Sequence, residues 1–167
     1  MRGIAARRHD TPPFIARVQG ELLEILAGGE QPEDALPAAR AHLKRRQAEL
    51  RAGRVPLHEL LLTQRISREV EDYRVPSPAA RAAKQLMAAG KTVKPGQRVR
   101  FLYTRGKPGV CAWDLPVHPP PAAIDLPRYK ELIDRAAEEV LQPFGSAVPP
   151  PPMLLLPQPK NGIADQF

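Results

Sequence analysis

Few side chains of this 167-residue sequence are spaced for metal binding. Adjacent carboxylates are ligands that divalent cations prefer. Three acidic pairs occur, at Glu33-Asp34, Glu71-Asp72 and Glu138-Glu139. Their surroundings are typical of helix starts and of solvated helix faces, which argues against a metal site in this chain.

Nucleophilic chemistry is also poorly supported. The single cysteine, Cys111, has no histidine at a motif spacing, and a packing role in a strand is predicted for it. The four histidines, at positions 9, 42, 58 and 118, are scattered and are interpreted as structural or exposed. Without a charged-then-apolar leader, a cytoplasmic protein is expected. Since no apolar run approaches the roughly 18 residues of a membrane helix, no segment is expected to span a membrane.

Positive charge is the chemistry that the sequence does supply. Lys and Arg number 25 against 18 Asp and Glu, which gives a net charge of +7. Such a chain suits a polyanionic partner, either nucleic acid or an anionic membrane surface. A predicted helix over 32–53 concentrates cations in its later half, at Lys44, Arg45, Arg46 and Arg51. A solvated basic face and a DNA contact are equal alternatives for this group.

Helix and strand signals predict how these charges are positioned. Proline and glycine punctuation indicates helices over 12–28, 32–53, 79–89 and 126–142, the first with Thr11 as N-cap. A strand is predicted over 59–66, followed by a turn or short helix over 67–73 with Ser67 as N-cap. Alternation over 98–103 and a return strand over 110–115 predict a hairpin. The predicted class is α+β, predominantly helical, with a small antiparallel β-hairpin subdomain.

An ordered series of short motifs runs through residues 59–106. A strand leads into a Thr-x-Arg segment that ends at Tyr73, followed by an Ala- and Lys-containing helix, a Lys-Pro-Gly turn and a strand ending near Gly106. This order resembles the thumb domain of family B DNA polymerases. Residues 2–12 resemble the palm-to-thumb junction of that family, and the last helix, with Tyr129 near its start, resembles the closing thumb helix.

The resemblance implies an organisation and a function. Residues 1–10 would be the junction, residues 11–145 the thumb, and residues 146–167 a Pro-rich, disordered tail. The chain would grip primer–template duplex DNA during replication or repair synthesis, as a split subunit or a fragment that is not catalytic alone. Exonuclease, palm and fingers, with the catalytic Mg²⁺, would belong to a larger partner chain. The alternative is a free-standing DNA-binding or interaction module derived from a thumb.

The resemblance also nominates individual residues. Ten DNA contacts are implied, at Arg7, Arg8, Arg65, Ser67, Arg68, Lys94, Arg98, Arg100, Arg105 and Lys107. An exposed ion pair with Glu71 or Asp72 is the alternative for Arg68. Tyr73 and Tyr129 are expected to anchor packing, since a duplex does not splay its bases. In the tail, Ile163 and Phe167 have a spacing similar to a sliding-clamp docking motif, with a plain disordered end as the alternative.

Overall fold

The computed structural model describes residues 11–29, 31–74 and 76–145. Those ranges contain the helices α1 (Pro13–Gly28), α2 (Pro32–Arg51), α3 (Pro78–Ala88) and α4 (Leu126–Gly145). They also contain the strands β1 (Leu62–Arg65), β2 (Arg98–Tyr103) and β3 (Val110–Ala112), which form one antiparallel sheet in the order β1-β2-β3. The predicted α+β, predominantly helical class is confirmed.

Several predicted boundaries are wrong for local reasons. Helix α1 begins at Pro13 with Pro12 as its N-cap, one residue later than predicted. The strand predicted over 59–66 is shorter, because Leu57–Leu60 forms a 3-10 turn ahead of β1. Ser67 does not cap a helix, since its hydroxyl contacts the Tyr73 hydroxyl and Glu69 precedes the next 3-10 turn. Ser77 is instead the N-cap of α3, since its hydroxyl accepts from the Ala80 N–H at 3.1 Å.

Helices α1, α2 and α4 pack against one another as a bundle. Apolar residues of α1 at helical spacing, Phe14, Val18 and Leu22, are buried there. Gln19 lies on the same face, and its side-chain amide donates to the Ala136 carbonyl of α4 at 2.7 Å. This hydrogen bond satisfies a polar group that would otherwise be costly to bury.

A charged network joins α1 to α2. The Glu21 carboxylate accepts from Arg46 Nε and Nη2 at 3.0 and 2.7 Å, and its Oε1 contacts His42 Nε2 at 2.7 Å. Burial alone would raise the pKa of Glu21, but the hydrogen bonds from Arg46 and His42 hold that pKa below its ordinary value. Ionised Glu21 is therefore more stable in the folded chain than in the unfolded one.

Glu21→Gln is expected to lower the free energy of unfolding at pH 7 by about 1 kcal/mol, since the bundle loses a partly buried ion pair. A depressed folded-state pKa stabilises the fold above the unfolded pKa of about 4.3, and this contribution is lost as pH falls through the folded value. Urea unfolding between pH 3 and 7 should give a flatter acid limb for the variant than for the parent chain. Equal acid limbs would contradict the prediction.

The sheet contains the predicted hairpin and one strand more. β1 pairs with β2 so that Leu62 lies opposite Phe101, and β2 pairs with β3 so that Tyr103 lies opposite Val110. Helix α3 packs against β2 and β3. Its Gln85 amide donates to the Val110 carbonyl at 2.9 Å and accepts from the Ala112 N–H at 2.7 Å, on the open edge of β3.

Tyr129 of α4 connects the bundle to the sheet. Its side chain is fully buried, and its hydroxyl accepts from the Tyr103 N–H at 3.0 Å while donating to the Leu60 carbonyl at 2.8 Å. Continuing the β1–β2 register beyond Leu62 and Phe101 places Leu60 opposite Tyr103. The phenol thus replaces a strand-to-strand hydrogen bond at the point where the segments that continue β1 and β2 move apart. Burial raises the pKa of this phenol above its ordinary value, so it stays protonated.

Candidate nucleic-acid interface

Two exposed arginines lie directly opposite each other across β1 and β2. Arg65 is the register partner of Arg98, and both side chains are on the exposed face of the sheet. Directly opposed like charges destabilise a strand pair. In the described ranges neither arginine forms an ion pair. An anion bound between them would relieve this repulsion.

A tight turn brings Lys94 to the same end of the sheet. Residues 94–97 have proline second and a left-handed glycine third, with φ +94° at Gly96, as a type II turn requires. The Gln97 side-chain oxygen accepts from the Lys94 N–H at 2.6 Å and closes the turn. Backbone hydrogen bonds join the turn to Ile66, from Ile66 N–H to the Gln97 carbonyl and from Gly96 N–H to the Ile66 carbonyl.

The segment after Ile66 is organised around Tyr73. The Tyr73 hydroxyl accepts from the Ser67 N–H at 3.2 Å and lies 3.3 Å from the Ser67 hydroxyl. The Arg68 guanidinium carbon lies 5.2 Å from the centre of the Tyr73 ring, in a cation–π contact. The Ser67 hydrogen bond lowers the pKa of Tyr73, and the Arg68 charge acts in the same direction. The contact holds the Arg68 guanidinium beside the Tyr73 ring, and Arg68 remains exposed to solvent.

These residues form one surface, which we call the sheet-end cluster. Its members come from β1, from the segment that follows β1, from the 94–97 turn and from the start of β2: Arg65, Ser67, Arg68, Lys94 and Arg98. All five are exposed. No ion pair links Arg68 to Glu71 or Asp72 within the described ranges. The cluster thus combines four cations with a hydroxyl, the donor types that bind phosphate oxygens.

Three other predicted contacts in the described ranges are not members of this cluster. Arg100 is exposed, but its guanidinium is ion-paired with Asp114. Arg105 and Lys107 follow the far end of β2, so Arg105 lies about 23 Å from Arg98 at 3.3 Å per residue. The Arg105 side chain donates to the Ile124 carbonyl at 3.2 Å. Four further predicted residues, Arg7, Arg8, Ile163 and Phe167, lie outside the described residues.

Two residues that sequence reasoning missed shape the surface. Gln97 closes the turn that presents Lys94, and its place directly after Pro-Gly was the available signal. Asp114 neutralises Arg100 from 14 residues away, and no local pattern indicates that pairing. Over residues 11–29, 31–74 and 76–145, no three acidic, His or Cys side chains are grouped to hold a metal ion. In the same ranges no helix has the length and apolar character to cross a bilayer.

Comparison with known proteins identifies the family. The family model described as DNA polymerase family B matches residues 1–139, which is most of the chain. The chain belongs to DNA polymerase family B. Among relatives of this family B chain, DNA polymerase 1 of Sulfurisphaera ohwakuensis is 27% identical over 150 residues, 87% of this chain and 17% of that protein. The DNA polymerase of Thermococcus litoralis is 29% identical over 105 residues, 63% of this chain and 6% of that protein.

A solved family B structure shares the fold. The family B DNA polymerase of the hyperthermophilic archaeon Pyrobaculum calidifontis superposes with a TM-score of 0.67 at 18% identity, over 77% of this chain and 17% of that one. This family B chain therefore spans less than a fifth of the length of these relatives.

Proposed function

We propose that this family B chain is a polymerase thumb that holds primer–template duplex DNA through its phosphates. The observation that carries the proposal is the Arg65–Arg98 pair, two exposed cations placed opposite each other in register with no carboxylate partner in the described ranges. Such a pair weakens the sheet, and a bound anion would offset that cost. Arg68 and Lys94 extend the positive surface on the same end of the sheet.

The proposal assigns positioning, and not chemistry, to this chain. Cations and hydroxyls that contact phosphate oxygens fix the register of a duplex without reading its bases. The chain covers at most 17% of the length of the relatives described above. Exonuclease, palm and fingers, together with the catalytic Mg²⁺, are then assigned to polymerase residues other than these 167, either in the same polypeptide or in a larger partner chain.

Comparing duplex with single-stranded DNA tests the thumb assignment. Fluorescence anisotropy would measure the affinity of the full chain for a labelled primer–template and for the template strand alone, at one salt concentration. A surface that grips a duplex is expected to bind the primer–template more tightly. Equal or tighter binding of the single strand would refute the thumb proposal and favour a different DNA-binding module.

Arg68→Ala is expected to reduce the salt dependence of duplex binding by about one unit, since each lost phosphate contact changes the logarithmic slope by about 0.9. Arg68→Lys keeps the charge and serves as the matched control, with a slope close to that of the parent chain. The measurement is the dissociation constant over 50–300 mM NaCl. An unchanged slope in the alanine variant would show that Arg68 does not contact phosphate.

A further inference from the structure

Helix α2 carries exposed cations outside the sheet-end cluster. Arg40, Lys44 and Arg51 are all exposed. At 100° per residue they fall within about 40° of one another around the helix, and at 1.5 Å per residue they extend over about 16 Å of its length. We call these three residues the α2 stripe. A row of this length faces several phosphates of a nucleic-acid backbone.

The remaining basic residues of α2 already have partners. Arg46 is held by Glu21 and by Glu49, the latter at 2.9 Å. Arg45 lies about 100° around the helix from Lys44, and its Nη2 donates to His42 Nδ1 at 3.1 Å. The predicted basic half of α2 thus divides into residues that hold the bundle together and residues that face solvent.

A contribution to the stability of helix α2 does not explain why these three cations share one face. Cations favour the last turn of a helix, which accounts for Arg51 but not for Arg40 or Lys44. Arg40 and Lys44 are four residues apart, where like charges destabilise a helix. Within the described ranges none of the three stripe residues forms an ion pair. Glu33, on the same side of α2, precedes Arg40 by seven residues, about 10 Å.

The residues beside the stripe indicate which polyanion it fits. Ala41, Ala48 and Ala52 are exposed on one side of it, while Leu36 and Leu43, on the other side, are half-buried and pack against the core. Amphipathic membrane helices insert large apolar residues, and protein interfaces centre on aromatic or aliphatic anchors. Small residues instead let a sugar–phosphate backbone approach the cations closely. We propose that the α2 stripe is a second, sequence-independent binding surface for DNA phosphates, separate from the sheet-end cluster.

A comparison of adjacent residues tests this proposal. Lys44→Gln removes a stripe charge, and Arg45→Gln removes one charge from the same helix outside the stripe. Anisotropy with a 30-bp duplex of arbitrary sequence over 50–300 mM NaCl should show a slope reduced by about 0.9 for Lys44→Gln and unchanged for Arg45→Gln. Arg40→Gln combined with Lys44→Gln should reduce the slope by about 1.8. Equal effects of Lys44→Gln and Arg45→Gln would overturn the proposal, because only net charge would matter.

The same assay separates this proposal from the thumb assignment. A chain with Arg65→Gln and Arg98→Gln is expected to keep residual salt-dependent duplex binding through the α2 stripe. Adding Arg40→Gln and Lys44→Gln to that chain should remove the residual binding. Complete loss of binding in the sheet variant alone would refute the stripe and leave the sheet-end cluster intact. Binding to vesicles containing phosphatidylserine that is as tight as binding to the duplex, and equally sensitive to Lys44→Gln, would refute nucleic acid as the partner.

Discussion

Replacing Arg65 and Arg98 together by glutamine is expected to weaken duplex DNA binding about 10- to 100-fold while making the folded chain more stable. The two arginines are register partners across β1 and β2, so the variant loses two expected phosphate contacts at one site. It also loses a directly opposed like-charge pair, whose removal should raise the free energy of unfolding by roughly 0.2–1 kcal/mol. Opposite signs for binding and stability distinguish a binding site from a structural one.

Anisotropy over a salt series and urea unfolding measure the two quantities. Lys84→Gln with Lys91→Gln removes the same number of exposed charges near α3 and is the control for net charge. The sheet variant should lower the salt slope by about two units, and the control by clearly less. A destabilised sheet variant, or equal losses of affinity in both double variants, would contradict the assignment of Arg65 and Arg98.

Tyr129→Phe is expected to lower the free energy of unfolding by about 2–4 kcal/mol. The phenol satisfies the Tyr103 N–H and the Leu60 carbonyl at once, and each buried backbone group left unpaired costs about 1–3 kcal/mol. For a chain of this size the melting temperature should fall by roughly 5–15 °C. Differential scanning calorimetry measures this directly.

Tyr103→Phe is the matched control for that experiment. It also deletes one tyrosine hydroxyl, but the Tyr103 side chain has ring contacts with Phe101 and Tyr129 and makes no side-chain hydrogen bond in the described ranges. Since no hydrogen bond of the Tyr103 hydroxyl is lost, its cost should stay clearly below that of Tyr129→Phe. Similar losses for both variants would mean that the Tyr129 hydroxyl does not replace the missing strand-to-strand hydrogen bond.

The helices were predicted well because their ends are determined by residues close in sequence. Pro32 with the acidic first turn and Arg51 in the last turn bracket α2, and Ser77 precedes the proline that opens α3. Strand pairing was not predicted, because it depends on contacts between residues far apart in the sequence. Strand β1 was predicted as an extended segment, but its pairing with β2 was not predicted. That pairing joins residues more than 30 positions apart in the sequence. Local periodicity carries no information about that register.

In the candidate site too, the sequence indicated the individual residues, whereas only the fold shows how they come together. Motif order indicated Arg65, Ser67, Arg68, Lys94 and Arg98 one by one. Their assembly into one cluster depends on the β1–β2 register and on the hydrogen bonds between Ile66 and the 94–97 turn. Arg100 and Arg98 look equivalent in the sequence, yet only Arg100 meets a carboxylate, because β3 continues toward Asp114. Cations on one strand face can therefore differ in availability for reasons that only the fold reveals.

The Gln85 amide has a consequence for how this chain behaves among copies of itself. An open strand edge displays unpaired N–H and carbonyl groups that recruit a strand from another molecule and start aggregation. On the outer edge of β3, one glutamine side chain engages both the Val110 carbonyl and the Ala112 N–H. A foreign strand would have to displace two hydrogen bonds to add there. α3 thus protects this side of the sheet against self-association.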